Sequence, residues 1–284
     1  MSVVITGATG HLGRLVVESL LERGFPAGQI VATGRRTEKI ADLADRGVVV
    51  RRADYTDSGS LKEAFQGADK VLLVSSSEVG QRYAQHVNAV DAARAAGVGL
   101  IAYTSITRAD TSGMALAAEH NSTEEYIRDS GVPHVLLRNN WYLENYTDQL
   151  SVVLEHQALL GSAGEGRVNA ASRADLAAAA ATVLATDGHQ GQVYELAGEA
   201  FTLPEAAAVI SEVSGRQVAY VDLPAEKYAE VLVGAGVPQP FAEVLADSDL
   251  GIARGDLDEP SDDLSRLIGR PATSLRDAVT SALA

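Results

Sequence analysis

The sequence predicts an α/β protein built on a doubly wound parallel sheet, with a smaller C-terminal α/β lobe. An apolar run at residues 2–5 passes straight into a glycine-bearing turn and then into a helical pattern. Five further apolar runs of strand length then alternate with helical stretches up to about residue 140. Beyond about residue 145 the alternation loosens, with no internal repeat and no low-complexity linker. Strands apolar throughout need cover on both faces, which helical crossovers between parallel strands supply. The expected division is a sheet domain over residues 1–145 and a lobe over 146–284, packed over the sheet's crevice to shape a pocket.

The first unit organises the rest. Ser2-Val3-Val4-Ile5 leads into Thr6-Gly7-Ala8-Thr9-Gly10-His11-Leu12-Gly13, and Leu12, Leu15, Val16, Ser19 and Leu20 then recur at helical spacing. Gly7 permits a tight turn off the strand, Gly10 lets backbone approach a pyrophosphate, and Gly13 lets the helix pack closely on the sheet. The free N–H groups and positive dipole end of the helix then face the anion. The spacing is GxxGxxG rather than GxGxxG. A glycine-rich structural turn would look similar, but the position after a strand and before a helix favours a dinucleotide site in a Rossmann-type domain.

The remaining elements follow in order. Strands are expected over 29–33, 48–51, 71–74, 100–104 and 135–137, and helices over 39–46, 61–65, 82–96 and 115–129. In the second part, a hairpin turn is expected at 161–166, helices over 173–185, 203–214, 225–234 and 241–247, and strands over 193–196 and 218–221. The tail ends on apolar-periodic residues 275–283.

Composition excludes several classes. A net charge of −15 over 284 residues, with no Lys/Arg-rich run, disfavours nucleic acid and anionic membrane as partners. The absence of cysteine removes disulfides, thiolate nucleophiles, iron–sulfur clusters and Cys-based zinc sites. No HExxH, Cys/His cluster or P-loop lysine is present, so no metal site is expected. No signal-peptide pattern precedes the first strand and no run approaches the ~20 apolar residues of a membrane span, so a cytoplasmic protein is expected, free to pair as a homodimer.

The cofactor is read from the second strand. Dehydrogenases that use NAD place Asp or Glu there to accept from the ribose 2′-hydroxyl. Here the strand runs into Thr33-Gly34-Arg35-Arg36, which offers guanidinium to a 2′-phosphate instead. NADPH is therefore expected, with Arg35 as the contact, although either arginine would also suit a solvated turn. Asp54, after the third strand, is placed to accept from the adenine amino group, whereas Asp57 suits a helix cap. Ser75, Ser76 and Ser77 end the fourth strand within reach of ribose and pyrophosphate. The only lysines are Lys39, Lys62, Lys70 and Lys227, and none follows a Tyr by four residues, so the Tyr/Lys proton transfer of alcohol dehydrogenases has no residues to rest on.

The motifs together resemble a family. The GATGHLG start, Arg35-Arg36, Ser75 to Arg82 (SSSEVGQR), Ala102-Tyr103-Thr104-Ser105 and Leu137 to Tyr146 (LRNNWYLENY) are similar to the NmrA-like atypical short-chain dehydrogenases, most closely their type 2 NAD(P)H:quinone oxidoreductases. The resemblance continues through Ser172-Arg173-Ala174-Asp175, Val193 to Gly198 and Leu267-Ile268-Gly269, and so covers nearly the whole chain.

That resemblance implies an NADPH-dependent reductase passing hydride directly to a small-molecule quinone, without flavin or metal. Other electron-poor aromatics such as triphenylmethane dyes, or a non-catalytic dinucleotide sensor, are the alternatives. It implies that Gly7, Ala8, Thr9, Gly10, His11, Leu12, Arg35 and Ser75 to Ser77 line the cofactor site. So does the segment Asn139, Asn140, Trp141, Tyr142, Leu143 and Glu144, where nicotinamide and acceptor meet; Arg173 either reaches the cofactor or organises a turn with Asp175. Asn139, Trp141 and Tyr142 are the candidate catalytic residues. A lysine carried by many relatives on the helix before this strand is replaced by His120, which would serve as a proton donor or simply pack a helix. Water can protonate a hydroquinone anion, so a dedicated acid is optional. Trp141, with Tyr142 and Tyr146, forms either an apolar wall for a quinone ring or core packing, and Arg138 is read as structural.

Overall fold

The computed structural model describes residues Met1–Ala284. Six strands alternate with helices through the first half: β1 Val3–Ile5, α1 His11–Glu22, β2 Ile30–Gly34, α2 Ala41–Asp45, β3 Val49–Arg52, α3 Ser58–Phe65, β4 Lys70–Leu73, α4 Arg82–Ala95, β5 Leu100–Ile106, α5 Ala115–Asp129 and β6 His134–Asn139. The second half comprises α6 Glu144–Thr147, α7 Leu150–His156, β7 Ala158–Gly161, β8 Arg167–Val168, α8 Arg173–Ala185, β9 Val193–Leu196, β10 Phe201–Thr202, α9 Leu203–Ser214, β11 Ala219–Asp222, α10 Ala225–Gly234, α11 Gln239–Arg254, α12 Asp263–Ile268 and α13 Leu275–Leu283.

Seven strands form one parallel sheet in the order β3-β2-β1-β4-β5-β6-β9. The winding direction reverses between β1 and β4, which opens a crevice at their carboxyl ends. Strand side chains alternate between faces. Val3, Ile5, Ile30 and Ala32 meet α1 and α8 in one core, while Val4, Val31, Val71 and Leu73 meet α3, α4 and α5 in another. Asp57 caps α3 by accepting from the Gly59 and Ser60 N–H groups. No helix is long and apolar enough to cross a membrane.

Two features differ from the sequence reading. First, the chain returns to the main sheet after residue 146: alanine-rich α8 packs on α1, and β9 pairs with β6 from Leu136↔Val193 to Asn139↔Leu196. The lobe is therefore assembled from separate stretches around its own core, where Leu143, Tyr146, Leu159, Phe201, Ile210, Ile252 and Val279 meet. Second, the turn at 161–166 closes no hairpin, because β7 pairs in parallel with β11 and β8 pairs antiparallel with β10. Side chains from elsewhere hold the turn's N–H groups: Asp249 accepts from Ser162 at 2.7 Å, the Tyr220 hydroxyl from Ala163 at 3.0 Å and Asp222 from Gly164 at 2.9 Å. The turn is thereby drawn to α11 and β11.

Candidate functional site

A cleft of about 470 Å³ opens at the crevice, lined by the β1–α1 turn, the ends of β2 and β3, the segment after β4, Tyr142 and Arg173. The turn is formed by its glycines. Gly7 has φ +61°, and a Cβ at Gly13 would stand 2.5 Å from the Gly7 carbonyl oxygen. Gly13 is thus required by the turn's own backbone rather than by contact with the sheet. Gly10 caps α1 without a side-chain hydrogen bond, and its own N–H is spent on the Gly7 carbonyl at 2.9 Å, so the first-turn N–H groups of His11, Leu12 and Gly13, residues that line the cleft, have no side-chain cap. Thr9 also lines the cleft, whereas Ala8 is buried and ties the turn to β2 through its N–H to Thr33 O at 2.8 Å. An uncapped helix end behind a turn that a Cβ would block is a cradle suited to a pyrophosphate.

Arg35 and Arg36 stand at the end of β2 beside it. The Arg35 side chain is 61% exposed and pairs with Glu78 at 2.7 Å. Asp54 borders the same end; its Oδ1 accepts from the Thr56 N–H and hydroxyl. The Thr56 N–H, with Arg35 and Arg52 farther off, holds the Asp54 carboxyl below the usual carboxylate range. Beneath it the Tyr55 hydroxyl lies 2.6 Å from both the Thr6 hydroxyl and the Val74 carbonyl, bracing the strand ends.

The segment after β4 is fixed from below. Ser75 N–H donates to the Thr104 hydroxyl at 2.8 Å, and Ser76 N–H to His86 Nε2 at 2.9 Å. His86 therefore carries its proton on Nδ1, which faces the Thr123 hydroxyl. Burial, then the Arg82 charge, push its pKa down to about 3. Arg82 Nε donates to the Ser76 carbonyl at 2.6 Å. Ser77 is exposed at the cleft edge. Two buried polar atoms here have no partner, Arg82 Nη1 and Gln85 Oε1, and Gln85 lines the cleft.

Residues after β6 divide between two surroundings. Tyr142 lines the cleft with the Arg173 guanidinium 5.1 Å above its ring, and burial raises its hydroxyl pKa against the opposing effect of the Asn139 amide. Asn139 is buried at the end of β6. Asn140 turns away, donating to Leu257 O and accepting from Trp141 N–H. Trp141 packs against the lobe core, Leu143 is buried in it, and Tyr146 stacks edge-on with Phe201. The three aromatic residues thus form no single wall. Glu144 accepts from the Arg173 N–H, and Arg173 pairs with Asp148 at 3.1 Å rather than with Asp175, which is held by Arg270 and the Thr273 N–H.

His120 is 4% exposed and hydrogen-bonds Tyr103 at 2.8 Å. Burial, then Arg82 and His86, hold its pKa well below the ordinary value, so it stays neutral. His120 is not among the residues that line the cleft, and desolvation beside a guanidinium works against its carrying a proton there. Arg138 binds Glu124, Asp110 and Glu195 in a structural network, to which Ser105 and Arg128 add contacts with Glu124. No group of three or more His, Cys, Asp or Glu converges as metal ligands.

Thr6, Tyr55, Glu78 and Gln85 line the cleft but were not singled out from the sequence. Glu78 lies within the segment 75–82, whose motif signalled it with its neighbours; Gln85 lies beyond that motif on α4, and like Thr6 and Tyr55 it carried no signal, since their roles depend on which elements the fold brings side by side.

A parallel sheet with its crevice at the winding reversal, a glycine turn under an uncapped helix and cations at the second strand define a Rossmann-type dinucleotide-binding protein. Residues 1–278 match the NmrA-like family, and the chain belongs to it. It is 50% identical over 279 residues to quinone oxidoreductase 2 of Escherichia coli, covering 98% of this chain and 97% of that one. The crystal structure of the NADPH-dependent quinone oxidoreductase of E. coli complexed with NADPH superposes with a TM-score of 0.96 at 49% identity, covering 99% of this chain and 100% of that one. The Citrobacter sp. triphenylmethane reductase complexed with NADP(H) superposes with a TM-score of 0.94 at 42% identity, covering 99% and 100%.

Proposed function

We infer that this protein is an NADPH-dependent oxidoreductase that transfers a hydride directly to a small-molecule quinone, without flavin or metal, in the cytoplasm. The carrying observation is the cleft itself, a glycine cradle next to Arg35 with no carboxylate on the second strand, in a chain half identical to a quinone oxidoreductase. NADPH supplies the hydride when bound.

The chain's residues bind and orient. The N–H groups of the β1–α1 turn take the pyrophosphate, Arg35 the 2′-phosphate, and Asp54 the adenine amino group. Ser75 to Ser77 form the floor. Tyr142, clamped under Arg173 and beside Asn139, stands where the cleft meets the lobe, and Trp141 faces the lobe side, so the acceptor is held between them. The hydroquinone anion left after hydride arrival takes its proton from water, so that no dedicated acid is needed.

The test is steady-state NADPH oxidation with a short quinone panel, plus a triphenylmethane dye because the 42% identical relative is a triphenylmethane reductase. Protein purified without added cofactor should be colourless and active with quinones. A yellow preparation that loses activity on flavin removal contradicts the direct transfer; no oxidation with any acceptor contradicts the enzyme reading.

A further inference from the structure

The mouth of the cleft is crossed by a bridge that the binding scheme above does not use. Glu78, on the segment between β4 and α4, places Oε1 2.7 Å from Arg35 Nη1 and Oε2 2.7 Å from Gln85 Nε2. Arg35 stands at the end of β2 and Gln85 on α4, so the carboxylate spans the two sides of the cleft where the adenosine end of a dinucleotide lies. All three residues line that cleft. The Gln85 anchor is firm: the residue is 4% exposed, and its amide nitrogen is held by Glu78. The Glu78 N–H is in turn tied to the Ser76 hydroxyl at 3.2 Å. The bond to Arg35 is the exposed and exchangeable end of the bridge.

We propose that Glu78 sets the preference between phosphorylated and unphosphorylated dinucleotide: its carboxylate occupies Arg35, and a 2′-phosphate must displace it to reach the guanidinium. This rests on the reading of the cleft as an NADPH site. A ligand lacking the 2′-phosphate leaves the Arg35–Glu78 pair intact and meets no competition. A ligand carrying it loses the free energy of that pair and meets the repulsion of a carboxylate held close by Gln85. Glu78 therefore weakens NADPH binding selectively, which speeds release of the spent cofactor and leaves room for NADH.

Calorimetric titration of 2′,5′-ADP and of 5′-AMP into wild type, Glu78→Gln, Arg35→Ala and the double variant tests this without turnover. Loss of a part-exposed ion pair and of the like-charge contact should tighten 2′,5′-ADP about three- to tenfold in Glu78→Gln, and leave 5′-AMP within about twofold. In the Arg35→Ala background the same change should have less than about a twofold effect, because the competition is for that guanidinium. Glu78→Ala should reproduce the tightening. If Arg35→Ala weakens 2′,5′-ADP but Glu78→Gln leaves it unchanged or weaker, the competition is overturned and the phosphate site stands. If Arg35→Ala does not weaken 2′,5′-ADP, the phosphate site itself falls, and the proposal with it.

Discussion

At the scale of residues, chain neighbours after β6 serve different surroundings. Tyr142 faces the dinucleotide cleft, while Trp141 packs on the lobe core and is only part-buried. An aromatic ring in that position contributes stacking area to an acceptor and none to the adenine or phosphate subsites. Trp141→Ala should therefore lower kcat/KM for quinones about tenfold while NADPH affinity, followed by fluorescence, stays within about threefold. A parallel fall in NADPH affinity would put Trp141 in the cofactor site, and unchanged turnover would remove it from the acceptor pocket. The sequence singled out this segment because Asn, Trp, Tyr and Glu crowd a strand end. It could not show that Asn140 and Leu143 turn away, because side-chain direction after the strand depends on the bridge between Tyr142 and Ala171.

At the scale of elements, α4, α5 and β5 bury a polar layer beneath the cleft in which His86, His120, Tyr103 and Arg82 sit together. Both imidazoles are held neutral, His86 with a pKa near 3 and His120 well below its ordinary value. Unfolded histidine binds its proton near pH 6.5. The unfolded chain therefore takes up more protons as pH falls below that value, and the stability that neutral burial supplies above it is lost on acidification. Each group contributes a slope of up to about 1.4 kcal/mol per pH unit. Asp249, raised by burial to about 6, and Glu195, raised likewise, act with opposite sign, gaining as pH falls through their raised values. The net expectation is a loss of about 1–2 kcal/mol between pH 7 and 5.5, measured by urea unfolding. Stability that is flat or rises over that interval would contradict the neutral assignment. Elements differed in how legible they were. The strands and helices of the first half announce themselves because burial on both faces demands apolar runs, whereas β8 and β10 have only two residues each and exist through long-range pairing. The turn at 161–166 has hairpin composition, yet Asp249, Tyr220 and Asp222, distant in sequence, decide its path.

At the scale of the molecule, the chain builds one sheet with a crevice and then uses what remains to wall it. The return of α8 and β9 to the sheet places Arg173, at the start of α8, against Tyr142 on the cleft, and Glu144 of the lobe holds the N–H of that same residue. Sheet and lobe are thus joined at the edge of the cleft, through Arg173, Tyr142 and Glu144, a joint that a simple division at residue 145 would not show. The glycine turn, Arg35 and the serine segment were readable because local spacing alone determines them; the joint was not, because it depends on β9 finding β6 across an intervening stretch of lobe. The central claim is that hydride passes directly from NADPH to a quinone in this cleft. An anaerobic single-turnover experiment tests it: protein freed of small molecules is mixed with NADPH deuterated at the transferred C4 position and with excess quinone, while NADPH loss and hydroquinone formation are followed together. The account predicts stoichiometric hydroquinone, a rate slowed severalfold relative to unlabelled NADPH, and no flavin absorbance at any time; NADPH loss that requires added flavin, or that proceeds without hydroquinone, would contradict it.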